Sequence, residues 1–162
     1  MVKAAHTTLA YLLDAVQVCR NFGHKPLHKC PPLDWFVAHN GRPFTDVRQQ
    51  WDGAIPIVRG PLGRCFKNAT EAVLDNPDRF VYIEGYAVFI IPVHHAWVYD
   101  RQTRCCYDPT WEGGGSDYFG VPFNLRYVSR TLLKKQSYGV IDWWEAKWPV
   151  LKHSPRYWRA KL

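Results

Sequence analysis

The chain has 162 residues, of which 47% are apolar and 15% aromatic, so it is long enough for one domain with a sizeable core and too apolar to be disordered. Its net charge of +7 is unevenly placed: residues 126–162 carry nine Lys/Arg against Asp142 and Glu145, whereas residues 1–125 balance at twelve of each sign. No apolar run approaches the ~20 residues needed to span a bilayer, so no helical membrane span is expected.

In chain order, the N-terminal stretch MVKAAHTTLAYLLDAVQVC reads as an amphipathic helix with Leu9, Leu12, Leu13 and Val16 on one stripe. Asp14 interrupts its apolar part, so it is not expected to be a signal peptide, and a cytoplasmic protein is the expectation. Asn21-Phe22-Gly23 reads as the helix stop. Residues 24–63 are rich in Pro and Gly and predict irregular structure with one short helix at residues 46–51. GRCFKNATEAVLDNPDRF predicts a helix opening near Cys65 and closing before Pro77. VYIEGYAVFIIPVHHAWVYD and RCCYDPT carry strand-forming residues, with Gly85 and Pro92 as interruptions. The glycines at 113–115 mark a loop, residues 124–136 a basic helix, and residues 138–141 a short strand. The expectation is a single α+β domain over 1–162, its core at about 62–141 and a basic, aromatic segment at 142–162.

Five cysteines (Cys19, Cys30, Cys65, Cys105, Cys106) without a secretory signal predict free thiols rather than disulfides. The acceptor pattern Asn68-Ala69-Thr70 has no use in a chain that stays out of the secretory path. Cys19, His24, His28 and Cys30 lack the tight spacing of a zinc knuckle. His94, His95, Cys105 and Cys106 form adjacent pairs that alternation sends to opposite faces of a sheet, so they do not converge on a metal. No metal and no cofactor are implied.

Chemistry concentrates in HHAWVYDRQTRCCYDPTW, residues 94–111. With strands at 93–99 and 104–109 and a turn centred between Arg101 and Gln102, His95 falls opposite Asp108 and Trp97 opposite Cys106. Directly opposed residues share a face with Cβ atoms ~4.5–5.5 Å apart, within reach of an imidazole–carboxylate hydrogen bond. His94 points to the other face, so the hairpin itself selects His95. An ordinary ion pair in a sheet has the same appearance; Cys65 is what adds chemistry. It follows Gly63-Arg64 at a helix N-terminus, where backbone dipoles and the arginine favour a thiolate. A nucleophile, a base and a group that orients the base are then all present in Cys65, His95 and Asp108.

The blocks GRCFKNA, HHAWV and YDPTW resemble the three core motifs of the transglutaminase-like superfamily of papain-like cysteine enzymes. YIEGYA and YFGVPF are also similar to segments of small uncharacterised proteins of bacteria and their viruses that carry this core. The resemblance covers about residues 62–111. It implies a papain-like α+β fold in which the helix bearing the nucleophile packs on an antiparallel sheet. It further implies Cys65 as nucleophile, His95 as general base and acid, and Asp108 as its orienting group. The implied activity is attack on a protein or peptide amide through a thioester, ending in hydrolysis, deamidation or transfer to an amine. Val98 and Tyr99 stand where the family often has an acidic residue, and no metal-binding module is expected. Besides the Cys65 backbone N–H, Gln50 and Trp51 are the upstream candidates for a side-chain oxyanion donor. Glu84 and Tyr86 are either cleft-lining or ordinary strand residues. Two rival expectations stand beside the enzyme: a nucleic-acid or anionic-surface binder using residues 126–162, and a catalytically inactive interaction module.

Overall fold

The computed structural model describes residues 8, 10–14, 17, 32–48 and 57–162. The expected helix stop at 21–23, the Cys19/His24/His28/Cys30 set, and Gln50 and Trp51 lie outside them. Residues 10–14 are helical, with Leu12 buried and Leu13 exposed, so Leu13 does not share the buried face; Leu9 and Val16 lie outside the described residues.

The architecture is α+β: one curled, six-stranded mixed sheet with helices packed on it. Within the described residues, helix α1 (Pro32–Asn40) and strand β1 (Arg42–Pro43) stand where irregular structure was expected, and strand β2 (Val47–Arg48) where the short helix was expected to start; residues 49–51 lie outside the described residues. Pro31 and Pro32 read as breakers, yet proline suits the first turn of a helix, and Asp34 complements its dipole there. Val47 and Arg48 instead pair in parallel with β5 (Cys106–Tyr107). Helix α2 (Cys65–Asp75) forms as expected, burying Ala69, Ala72 and Val73 on one stripe against β3 (Phe80–Val88) and β4 (Pro92–Asp100).

Strand β6 (Asp117–Phe123) was not among the expected elements; it contains Gly120 and Pro122, both poor strand formers. It lies between β1 and β3, giving the order β1-β6-β3-β4-β5-β2, antiparallel except for the β2–β5 pair. Gly85, likewise expected to interrupt, sits inside β3 between His95 on β4 and Gly120 on β6. A side chain at Gly120 would stand 2.6 Å from the Trp97 ring. These glycines leave space on one sheet face for a layer of Trp97, Tyr118 and Phe44. The opposite face carries the larger core, including Tyr82, Ala96, Val98, Val121 and Phe123 under α2 and α1.

Helix α3 (Leu125–Lys135) is capped at its start by Asn124, whose side chain accepts from the Tyr127 N–H at 2.9 Å. Residues 138–141 are not a strand. The N–H groups of Val140 and Ile141 donate to the Glu84 carboxylate at 2.6 and 2.9 Å, so a side chain satisfies them in place of a ladder. Two short helices, α4 (Pro149–Lys152) and α5 (Pro155–Trp158), close the chain. The basic, aromatic segment divides: Trp158 is buried against Phe36 and Phe123, while Trp144 stays 63% exposed.

A methyl group at Gly85 would collide with the Phe119 carbonyl and the Gly120 Cα, both backbone and unable to yield. Gly85→Ala is therefore expected to lower stability by about 2 kcal/mol or more, read as a reduced urea midpoint at unchanged slope.

Candidate active site

Alternation along β4 decides which histidine goes where. Side chains at 94, 96 and 98 face α2; those at 95, 97 and 99 face the Trp97 layer. The β4–β5 register is Val98↔Tyr107 and Tyr99↔Cys106, which corrects the expected opposition of His95 to Asp108 and of Trp97 to Cys106. The connecting loop is residues 101–104, closed by the Asp100 N–H bonding the Cys105 carbonyl at 2.9 Å. Asp100 causes the shift: buried, it takes a two-pronged bond from Arg79 and the Gln102 N–H at 2.9 Å, so it becomes the last strand residue. The displacement is two residues, and a period of two leaves every side chain on its original face.

His95 and Asp108 consequently still meet. Nε2 of His95 lies 2.7 Å from Oδ2 of Asp108, both side chains buried. The same oxygen accepts the Tyr118 hydroxyl at 2.8 Å, and Oδ1 accepts the N–H groups of Thr110 at 2.9 Å and Trp111 at 3.1 Å. Burial alone would hold this carboxyl neutral, but the bonds from His95, Trp111 and Tyr118 outweigh it and keep its pKa below the ordinary carboxylate value. Burial likewise works against a charged imidazole. Hydrogen bonding to Asp108 and to Cys65, with the charges of both, overcomes it and raises His95 to about 9. The Trp111 indole stacks on the imidazole with centroids 3.9 Å apart and planes within 14°.

Cys65 reaches this ring because β5 is short. β5 pairs with β4 only at Val98 and Tyr99; beyond Tyr107 the chain leaves the ladder and turns toward the start of α2. Two links hold it there: the Gly60 N–H bonds the Pro109 carbonyl at 2.9 Å, and the Asn68 amide bonds Thr110 Oγ1 at 2.9 Å and the Pro61 carbonyl at 2.9 Å. Asn68, one turn after Cys65, is thus a buried strut rather than a glycosylation acceptor. Cys65 is the first residue of α2 and buried, and Arg64 supplies no side-chain cap, so the Cys65 N–H keeps the orphan character of a first-turn donor.

On the other face, His94 Nε2 lies 3.0 Å from Oε1 of the fully buried Glu84. Glu84 also accepts the Tyr82 hydroxyl at 2.7 Å and the two N–H groups of Val140 and Ile141. Burial pushes its pKa up, and the bonds from His94, Tyr82 and Ile141 more than reverse that. Tyr86 donates to Asp34. Neither Glu84 nor Tyr86 lines an open cleft, and Glu84 is a buried hub rather than an ordinary strand residue.

The two adjacent cysteines diverge as alternation requires. Cys106 joins the Trp97 layer, where burial pushes its thiol well up, and Cys105 joins the larger core with its Sγ 3.1 Å from Asp46.

The structure thus brings Cys65, His95 and Asp108 together and adds Asn68, Thr110, Trp111 and Tyr118 around them. Asn68, Thr110 and Trp111 lie inside the quoted motifs, so their position was a signal even though no role was attached. Tyr118 arrives from β6; it opens the quoted block YFGVPF, with no role attached to it there. Comparison with protein-family models, curated proteins and solved structures returns no match.

A pH dependence follows. His95 sits at about 9 in the folded chain against an ordinary 6.5, so its pairing stabilises fully below about 6.5 and is lost as pH rises toward 9. The lowered Asp108 has the opposite sense, its contribution fading as pH falls below the ordinary carboxylate range. Urea unfolding between pH 6 and 9.5 should show the parent losing up to about 3 kcal/mol, with His95→Gln free of that slope.

Proposed function

We propose that the chain is a papain-like cysteine enzyme of the transglutaminase-like kind, acting on protein or peptide amides through a thioester. What carries the reading is one arrangement: an imidazole held between the buried Asp108 carboxylate and the Cys65 thiol, raised to about 9 by both.

Asp108 occupies Nε2, which leaves Nδ1 as the nitrogen that exchanges a proton with Cys65. Proton transfer from the thiol to His95 produces a thiolate beside an imidazolium. The thiolate attacks the amide carbon, and the carbonyl oxygen takes up the electron pair as an oxyanion that the Cys65 N–H stabilises. On collapse the C–N bond breaks, the imidazolium delivers its proton to the leaving amine, and a thioester remains. The neutral imidazole then takes a proton from water or from an acceptor amine, whose attack releases the acyl group and restores the thiol. Water gives hydrolysis or deamidation; an amine gives transfer. Trp111 across the imidazole and Tyr118 on Asp108 keep this proton path dry and rigid.

The deciding experiment is alkylation of Cys65 by iodoacetamide against pH, resolved by peptide mass spectrometry. At pH 6 the parent should react at least about tenfold faster than His95→Ala, since an ordinary thiol near ~8.5 is almost wholly protonated there. Equal rates in the two proteins would remove the base from the proposal and leave an inactive interaction module.

A second reading rests on the outer face of the C-terminal segment, where Trp144 and Tyr157 are exposed and Arg156 stacks over Tyr157 at 4.9 Å. If this face binds nucleic acid, oligothymidylate will quench tryptophan fluorescence at low salt. The affinity should then fall at least about tenfold between roughly 50 and 200 mM salt, and Trp144→Ala should weaken it. Absence of quenching at low salt disposes of this reading.

A further inference from the structure

The turn between β3 and β4 is Phe89, Ile90 and Ile91, and all three are more than half exposed. Tight turns are built from Gly, Asn, Asp, Pro and Ser, because those residues satisfy turn backbone geometry and solvate well. Three bulky apolar side chains at a hairpin tip serve neither purpose. Their location is informative: the Phe89 ring lies 5.5 Å from the Trp111 ring, and Trp111 in turn stacks on His95. The tip is therefore one aromatic contact removed from the imidazole. Leu62, three residues before Cys65, is also largely exposed, and its loop is tied to the Trp111 segment by the Gly60–Pro109 bond and an Arg59–Glu112 pair at 3.7 Å. Apolar surface thus flanks both Trp111 and the loop that leads to Cys65.

We propose that Phe89, Ile90 and Ile91, with Trp111 and Leu62, form the acyl-donor subsite of the enzyme. It accepts a bulky apolar side chain on the acyl side of the scissile amide in a peptide substrate. The inference rests on the cysteine-enzyme reading given above and names its substrate class. An extended peptide lying over Trp111 to place its carbonyl at Cys65 passes the tip, and the rim offers apolar contact to whatever residue comes there. Arg59 on this rim is paired with Glu112, and the hairpin tip itself carries no ionisable side chain.

The test uses the full chain and two probes with the same reactive group, acetyl-leucine chloromethyl ketone and acetyl-glycine chloromethyl ketone, with iodoacetamide as a reference that needs no subsite. Alkylation of Cys65 is followed by mass spectrometry in the parent and in the Phe89→Ser/Ile91→Ser variant, whose changes fall on exposed side chains. The leucyl probe should react at least about tenfold faster than the glycyl probe in the parent, burial of one aliphatic side chain being sufficient for that. The variant should lose most of this preference while its iodoacetamide rate stays unchanged. A leucyl-to-glycyl ratio near one in the parent, or an equal ratio in the variant, overturns the subsite while leaving the nucleophile intact. A variant that sediments as monomer where the parent is dimer would make the tip a self-association surface and overturn it also. If iodoacetamide itself is slow and indifferent to His95→Ala, the enzyme reading fails and the subsite falls with it.

Discussion

Alternation of side chains along β4 is the constraint on which the rest of the structure depends. Two adjacent histidines are sent to opposite faces, and each finds a buried carboxylate: His95 finds Asp108, His94 finds Glu84. β4 is hydrogen-bonded to β3 along its whole length, so neither pair can shift without breaking the other. Removing one partner of a buried pair leaves an uncompensated charge worth about 3–5 kcal/mol. The imidazole facing Cys65 is thereby fixed in orientation by its partners.

Around that fixed ring, the site is assembled by segments that leave regular structure at the right place. β5 stops after two residues, so the edge of β4 beside His95 stays open to the start of α2. Asp108 sits just past the end of the ladder, and its remaining acceptor capacity is filled by the N–H groups that follow it and by a tyrosine from β6. Asn68 closes the circuit by joining the helix that carries Cys65 to the segment that carries Asp108. The Asp108 carboxylate, the His95 imidazole and the Asn68 amide each have hydrogen-bond partners, which favours one geometry over many.

The two faces of the molecule differ in character. At the β3–β4 tip the exposed side chains are aliphatic and aromatic; over α3 to α5 basic side chains predominate. Glu84 couples these regions physically, because the carboxylate that holds His94 also holds the backbone of Val140 and Ile141. The C-terminal segment is therefore tied to the core beside the site through a buried carboxylate.

What was legible in the sequence was whatever depends on period alone. The helix opening at Cys65, the choice of His95 over His94, its partnership with Asp108 and the divergence of Cys105 from Cys106 follow from 3.6-residue and two-residue repeats; these survive a register displaced by two. The register itself was not legible. It depends on Asp100 being captured by Arg79, a contact with no local mark. Nor was β6, because Gly120 and Pro122 look like breakers until Gly85 and Trp97 are placed beside them. Helix α1 and strand β1 were hidden for the same reason: proline and glycine are permissive or disruptive according to which backbone groups have partners elsewhere. The sequence by itself determined the candidate side chains and the face each occupies, since those are consequences of chain geometry. Only the tertiary structure decided that Glu84 is a buried hub, that Trp111 covers the imidazole and that an apolar hairpin tip adjoins it. Those are proximities between segments, and proximity is set by packing rather than by pattern.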